Sequence, residues 1–214
     1  MGISLWLCPY GHSSEYETFK TLIGSLQTLF PNAPLFEPHV TVCSGLSCEN
    51  MEEVHKVLEM AHHAINAVKS KVDEAHPLVE FDRFIIGKHY FEKCRLECKP
   101  NSMLYSLAKL IRAMFVGELD IDTWLFEEFH PHMSLAYSDI YPMDQAMIRL
   151  IRQRIEDLFD VGMEEASESH RRDQSTYYLQ NTLKSWSFPL TFKVVKCEGP
   201  VEKWEVLSEV TVHA

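Results

Sequence analysis

The chain is poor in the features that would place it in several common classes. Among 214 residues there are 8 glycines and 10 prolines, with no tract of either, so neither a collagen-like repeat nor a low-complexity linker divides it. No apolar run approaches the roughly 20 residues that span a bilayer, and the N-terminus lacks the basic start and small-residue cleavage site of a secretory signal. A soluble, cytoplasmic protein is expected. Positive charge is scarce: 20 Lys and Arg face 31 Asp and Glu, for a formal net charge of -11. A protein that grips long nucleic acid lays cations along many phosphates, so no such partner is expected, whereas a small anion in a locally positive pocket stays compatible. The six cysteines contain no Cys-x-x-Cys pair, which suits a reducing compartment better than a disulfide framework. Cys94 and Cys98 read as packing residues on one strand face rather than as half of a four-ligand zinc site.

What is present is a pattern used twice. Pro38-His39-Val40-Thr41-Val42 and Pro131-His132-Met133-Ser134-Leu135 both place a histidine and a hydroxyl two positions apart, between apolar residues. Side chains in a strand alternate with period two, so each histidine shares a face with its hydroxyl while the apolar neighbours face a core. With eleven histidines, roughly one or two His-x-Ser/Thr triplets are expected by chance. His12-Ser13-Ser14 is such an example, since its polar surroundings lack strand alternation. The other two share a preceding proline and the apolar alternation, which chance does not supply. Two imidazoles flanking a phosphate can serve as general base and general acid, and Thr41 and Ser134 can hold its oxygens. The pair reads as a phosphoester-cleaving site with no metal and no cofactor. The residues leave open which histidine starts as base.

Other histidines fit less well. His62 and His63 are adjacent and cannot share a helix face. His130 and His132 with Asp139 form the rival metallohydrolase reading, which leaves Thr41 and Ser134 without a role.

Periodicity outlines the rest. Ile3 to Cys8 reads as a strand, followed by an amphipathic helix through Tyr16, Phe19, Leu22, Ile23, Leu26 and Phe30. Asn50 with Glu53 reads as a capping box opening a helix that buries Met51, Val54, Leu58, Ala61, Ile65 and Val68. Strands are expected near 78–86 and 90–98, joined by a hairpin at Gly87-Lys88-His89. A helix through Leu104, Leu107, Ala108, Ile111 and Phe115 comes next. After the second motif strand come a helix with Ile148, Ile151, Ile155 and Leu158 and closing strands near 188–197 and 203–212. The polar stretch 162–185 reads as a flexible insertion. Together these elements predict one α+β domain over 1–214, with two similar lobes. Each lobe is an antiparallel sheet with helices packed outside, and the lobes face each other across a central cleft.

The paired motifs resemble the signature of the 2H phosphoesterase superfamily, and the details are similar to its fungal cyclic nucleotide phosphodiesterase branch. The residues that carry the likeness are Ile3-Ser4-Leu5-Trp6-Leu7-Cys8-Pro9, Phe36 to Val42, His132 to Tyr137 and Trp204-Glu205-Val206. The resemblance covers nearly the whole chain and is weakest over about 160–186. It implies catalytic His39 and His132, and substrate contacts from Thr41, Ser134, Trp6, Tyr90, Phe91 and Tyr137; for each aromatic, a core position is the competing reading. Lys88 offers a nearby cation. It further implies a monomer that hydrolyses 2′,3′-cyclic nucleotides to 2′-phosphates and ADP-ribose 1″,2″-cyclic phosphate, a by-product of tRNA splicing, to the 1″-phosphate. A Golgi-associated location is the alternative it brings. An RNA-end-processing phosphodiesterase and a non-catalytic nucleotide-binding module are the alternative functions.

Overall fold

The computed structural model describes residues 2–72, 76–117, 120–166, 174–180 and 185–213. Its elements in chain order are β1 (Gly2–Pro9), α1 (Ser14–Gln27), β2 (Val40–Leu46), α2 (Met51–Val68), β3 (Phe81–Ile86), β4 (Cys94–Cys98), α3 (Ser102–Phe115), α4 (Ile121–Glu127), β5 (His132–Ala136), α5 (Gln145–Phe159), β6 (Met163–Glu165), β7 (Ser175–Leu179), β8 (Leu190–Cys197) and β9 (Glu205–Val212).

The α+β class with antiparallel strands is as expected, and the way the two halves join is more specific. The strands form a nine-stranded sheet in the order β6-β7-β3-β4-β5-β2-β1-β8-β9, with the two motif strands side by side at its centre. Between them the register is one pair, Val40 with Met133. One half of the sheet is β2-β1-β8-β9, backed by α2 and α3; the other is β5-β4-β3-β7-β6, against which α1 and α5 pack. The halves of the fold are therefore not the halves of the chain. The first helix packs on the second motif strand, and the last two strands return to the first half through β1, with β8 pairing β1 and β9 pairing β8.

Alternation sorts each central strand. Leu5 and Leu7 of β1, Val40 and Val42 of β2, and Met133 and Leu135 of β5 enter the main core with Phe19, Leu22, Leu58, Leu107 and Ile151 from the helices. The opposite face of β1 and β8 carries a smaller cluster, Trp6, Cys8, Val195 and Cys197, against which Trp204 packs. Burying such side chains contributes about 1.5–3 kcal/mol each relative to exposure.

Helix starts follow local chemistry. Asn50 accepts from the Glu53 amide, while the Glu53 carboxylate reaches back to the Glu49 amide, one residue before the position a capping box would use. Met51 stays 47% exposed in the first turn and Leu158 37% exposed in the last turn of α5, so neither joins the core as its spacing predicted. The proposed insertion 162–185 also needs correction. Met163–Glu165 and Ser175–Leu179 pair with each other, and β7 pairs with β3, so these segments are strands rather than loop, β6 at the sheet edge and β7 beside it. Residues 167–173 and 181–184 lie outside the described residues. Among the described residues no helix is long and apolar enough to cross a membrane.

Candidate active site

His132 opens β5 and His39 immediately precedes β2, and both are held in the same way. His39 Nδ1 lies 2.6 Å from the backbone oxygen of Glu37, and His132 Nδ1 lies 2.7 Å from that of His130. Only an N–H can bond a carbonyl, so each imidazole carries its proton on Nδ1 and leaves Nε2 for the cleft. Pro38 and Pro131 separate each carbonyl from its histidine.

The cleft encloses about 290 Å³ and is lined by Ser4, Trp6, His39, Thr41, Ser44, Phe91, His132, Ser134, Tyr137, Cys197 and Trp204. Both histidines and both hydroxyls predicted from the motifs are therefore brought together, as are Trp6, Phe91 and Tyr137. Tyr90 is not among the lining residues. Its ring lies 5.9 Å from that of Tyr137 and 4.9 Å from that of Phe91, so it backs the wall rather than forming it. Lys88 is exposed outside the cleft, 5.4 Å from the Tyr141 ring.

The two imidazoles sit in different surroundings. His39 is 5% exposed, and the Trp6 indole lies over it with ring centroids 3.7 Å apart at 10°. Burial pulls its pKa down to about 4, and the nearby His132 works in the same direction, while the carbonyl bond and the Glu37 charge oppose them. His132 is half-exposed. Its pKa is also lowered, first by burial; the His130 carbonyl raises it, the Arg95 charge lowers it, and Glu97 and Glu92 raise it. Arg95 lies beside Ser134 in the β4–β5 register, within 3.3 Å of Glu97. Burial pushes the Tyr137 phenol up to about 12, against a hydrogen bond with Ser134 that lowers it, so the ring presents a neutral O–H to the cleft.

The aromatic wall is mounted on a braced loop. Between β3 and β4, residues 87–93 form a longer turn than the expected hairpin, including a 3-10 turn at Tyr90–Glu92. Lys93 is fully buried and donates to the backbone oxygens of Lys88 (3.0 Å) and Ile140 (2.6 Å), while the Ser138 amide donates to Tyr90 O at 3.2 Å. These bonds fix Phe91 facing Trp204, with centroids 6.1 Å apart at 21°.

Sequence reasoning did not single out Ser4, Ser44, Cys197 or Trp204. Ser4 was reachable, since it alternates with Trp6 on one strand face; its register partner is Ser44 of β2. Cys197 enters only through the pairing of β8 with β1, almost 200 residues apart in the chain, and Trp204 by packing against the cluster that this pairing forms. The three groups of the metal alternative do not assemble into a ligand set: among the described residues no group of three His, Cys, Asp or Glu side chains could hold a metal ion.

Residues 1–212 match the family described as cyclic phosphodiesterase-like protein. A protein of Kluyveromyces lactis, 87% identical over 213 residues that cover 100% of both chains, bears the name 2′,3′-cyclic-nucleotide 3′-phosphodiesterase. The same name belongs to a protein of Saccharomyces cerevisiae, 43% identical over 99% of this chain and 100% of its own. It also belongs to one of Eremothecium gossypii, 42% identical over 97% of this chain and 98% of its own.

Proposed function

This chain belongs to the cyclic phosphodiesterase-like protein family, and from that premise we propose that it hydrolyses 2′,3′-cyclic nucleotides without a metal, using His39 and His132 as general acid and base. The observation that carries this reading is the matched tethering of the two histidines. Each Nδ1 proton is held by a carbonyl, so two Nε2 atoms, one from each half of the sheet, are left for a phosphate between them.

In-line attack needs water and leaving oxygen on opposite sides of phosphorus, and the two halves supply the two sides. One imidazole takes the proton of the attacking water while the other gives a proton to the departing ribose oxygen, steps worth typically 10²–10⁴-fold each. Thr41 and Ser134 donate to the non-bridging oxygens as charge builds on them. Both imidazoles are neutral at pH 7 in the open cleft because burial lowers them. The arriving phosphate anion favours protonation of one, which sets up the acid/base pair on binding.

Among the described residues the lining includes no Lys, Arg, Asp or Glu, which favours a small ligand with one phosphate over a polynucleotide. The wall of Trp6, Phe91, Tyr137 and Trp204 offers flat apolar surface to a nucleobase or ribose. The products proposed are the nucleoside 2′-phosphate and, from ADP-ribose 1″,2″-cyclic phosphate, the 1″-phosphate, the latter as a step in handling tRNA-splicing by-products. Phosphorus NMR of both reactions tests this. A single 2′-phosphate regioisomer, formed equally well after exhaustive EDTA treatment, is expected. A 3′-phosphate or mixed product overturns the ribose pose, and EDTA-sensitive turnover restored by zinc or manganese overturns the two-histidine chemistry.

A further inference from the structure

His39 and His132 are held alike at Nδ1 but not behind it. On the His132 side the lead-in is zipped to the sheet by backbone, the Cys98 amide donating to Pro131 O at 2.9 Å. On the His39 side residues 33–39 belong to no strand, and Pro38 has no N–H to offer a ladder. The carbonyl that holds the His39 proton therefore depends on side chains for its position.

Those side chains converge on one residue. The Glu37 carboxylate accepts from Tyr16 Oη of α1 at 3.3 Å and from Lys193 Nζ of β8 at 2.8 Å. Lys193 is only 13% exposed at its side chain and makes a second ion pair, 3.1 Å to Glu209 of β9. Its register partner on β1 is Trp6, the residue stacked on the His39 ring. One helix and one strand thus grip the residue whose backbone oxygen sets the imidazole, β9 steadies that grip through Glu209, and a neighbour of Lys193 covers the imidazole face.

We propose that the Glu37 carboxylate, clamped by Lys193 and Tyr16, is a positioning group for His39: it fixes the carbonyl that holds the Nδ1 proton and thereby aims Nε2 at the phosphate. The carboxylate touches neither substrate nor reacting atoms, and Lys193 acts through it. The network carries two carboxylates on one ammonium, so its negative balance also favours the protonated form of the imidazole it orients. The charged groups that act on His39 are Glu37 from its own lead-in and His132 from β5; Tyr137 and Cys197 share its cleft, and Lys193 of β8, Glu209 of β9, Tyr16 of α1 and Cys8 of β1 surround the Glu37 network. This inference rests on the two-histidine reading for its kinetic consequence.

The test uses the full chain with Glu37→Gln, Lys193→Met and Lys193→Arg, each shown to be folded by thermal denaturation. Steady-state kinetics with a 2′,3′-cyclic nucleotide are run beside long-range proton–nitrogen NMR of the imidazoles. Glu37→Gln is expected to lower kcat by about 10-fold or more while KM stays within about twofold, the pattern of a misaimed catalytic group. Lys193→Arg should recover most of what Lys193→Met loses. In the spectra His39 should lose its single Nδ1–H tautomer and titrate lower in Glu37→Gln, with His132 unmoved. Unchanged kcat and unchanged His39 signals overturn the proposal, as does a Lys193→Arg variant no better than Lys193→Met. If the unsubstituted chain turned over no cyclic nucleotide, the functional reading would fall, and the His39 spectra would still decide the network.

Discussion

His39 and His132 lie outside the main apolar core and carry the whole of the proposed acid–base chemistry, which makes their truncation informative. His39→Ala and His132→Ala are each expected to abolish nearly all turnover while circular dichroism and melting temperature stay near those of the parent. Thr41→Ala and Ser134→Ala should each cost roughly 1–3 kcal/mol of transition-state stabilisation, the worth of one hydrogen bond in a site, read as a drop in kcat/KM. The pH profile follows from the lowered pKa values. The working form holds one proton on the pair, so kcat/KM should fall as pH rises past the His132 value, which lies below 6.5, and fall again below about 4, the His39 value. The profile of kcat should move to higher pH, because bound phosphate raises whichever imidazole holds the proton. A kcat/KM flat from mildly acidic to alkaline pH would contradict the assignment.

Among the elements, the turn between β3 and β4 is the most sensitive to small changes. A Cβ on Gly87 would sit 2.5 Å from the backbone oxygen of Glu92, inside the turn that the Gly87 amide closes by donating to Lys93 O. Gly87→Ala should therefore push the Phe91 segment outward, raising KM for a cyclic nucleotide several-fold with a smaller change in kcat, measurable by steady-state kinetics. This loop also marks how far sequence can be read. The motif strands were legible because His39 with Thr41, and His132 with Ser134, obey a period-two rule that needs no tertiary information. The five residues of β4 were placed too early because Tyr90–Glu92 have strand-like composition but turn in a 3-10 conformation. The seven-residue helix Ile121–Glu127, one turn of which holds Trp124 and Leu125 in the core, is too short to show periodicity. The edge strand β6 is not legible because Glu164 and Glu165 are exposed and carry no apolar alternation, and β7 beside it buries only Tyr177.

For the whole molecule, the order of the sheet was the least legible feature. Nothing in the residues around Phe81 or Leu190 announces that β3 enters the half of the sheet that holds the second motif strand while β8 enters the half that holds the first; that follows from which apolar faces find each other across the completed core. The cleft contents inherit this limit, so Tyr137 could be named from its distance to a motif and Trp6 only from the family resemblance, whereas Trp204, Glu37 and Lys193 are brought near one another only after the ends of the chain return. The same topology makes the core continuous from one half to the other. Thermal unfolding should accordingly be a single transition by both far-UV and near-UV circular dichroism. Two separated transitions would show that the halves fold as independent units.

The seam between β2 and β5 has a mechanical consequence. One register pair, Val40 with Met133, crosses it on the sheet, although the two sides are welded underneath by the core. A phosphate gripped by His39 and Thr41 on one bank and by His132 and Ser134 on the other is then a rivet driven into the open side of a joint that is fastened only from below. Binding a non-hydrolysable cyclic phosphate analogue should slow amide exchange at Val40 and Met133 more than in the outer strands. The same ligand should raise the melting temperature, by an amount corresponding to about 2.7 kcal/mol when it is present at 100 times its Kd. Slowed exchange along β6 and β9 with none at the seam would mean that the ligand sits elsewhere than across it.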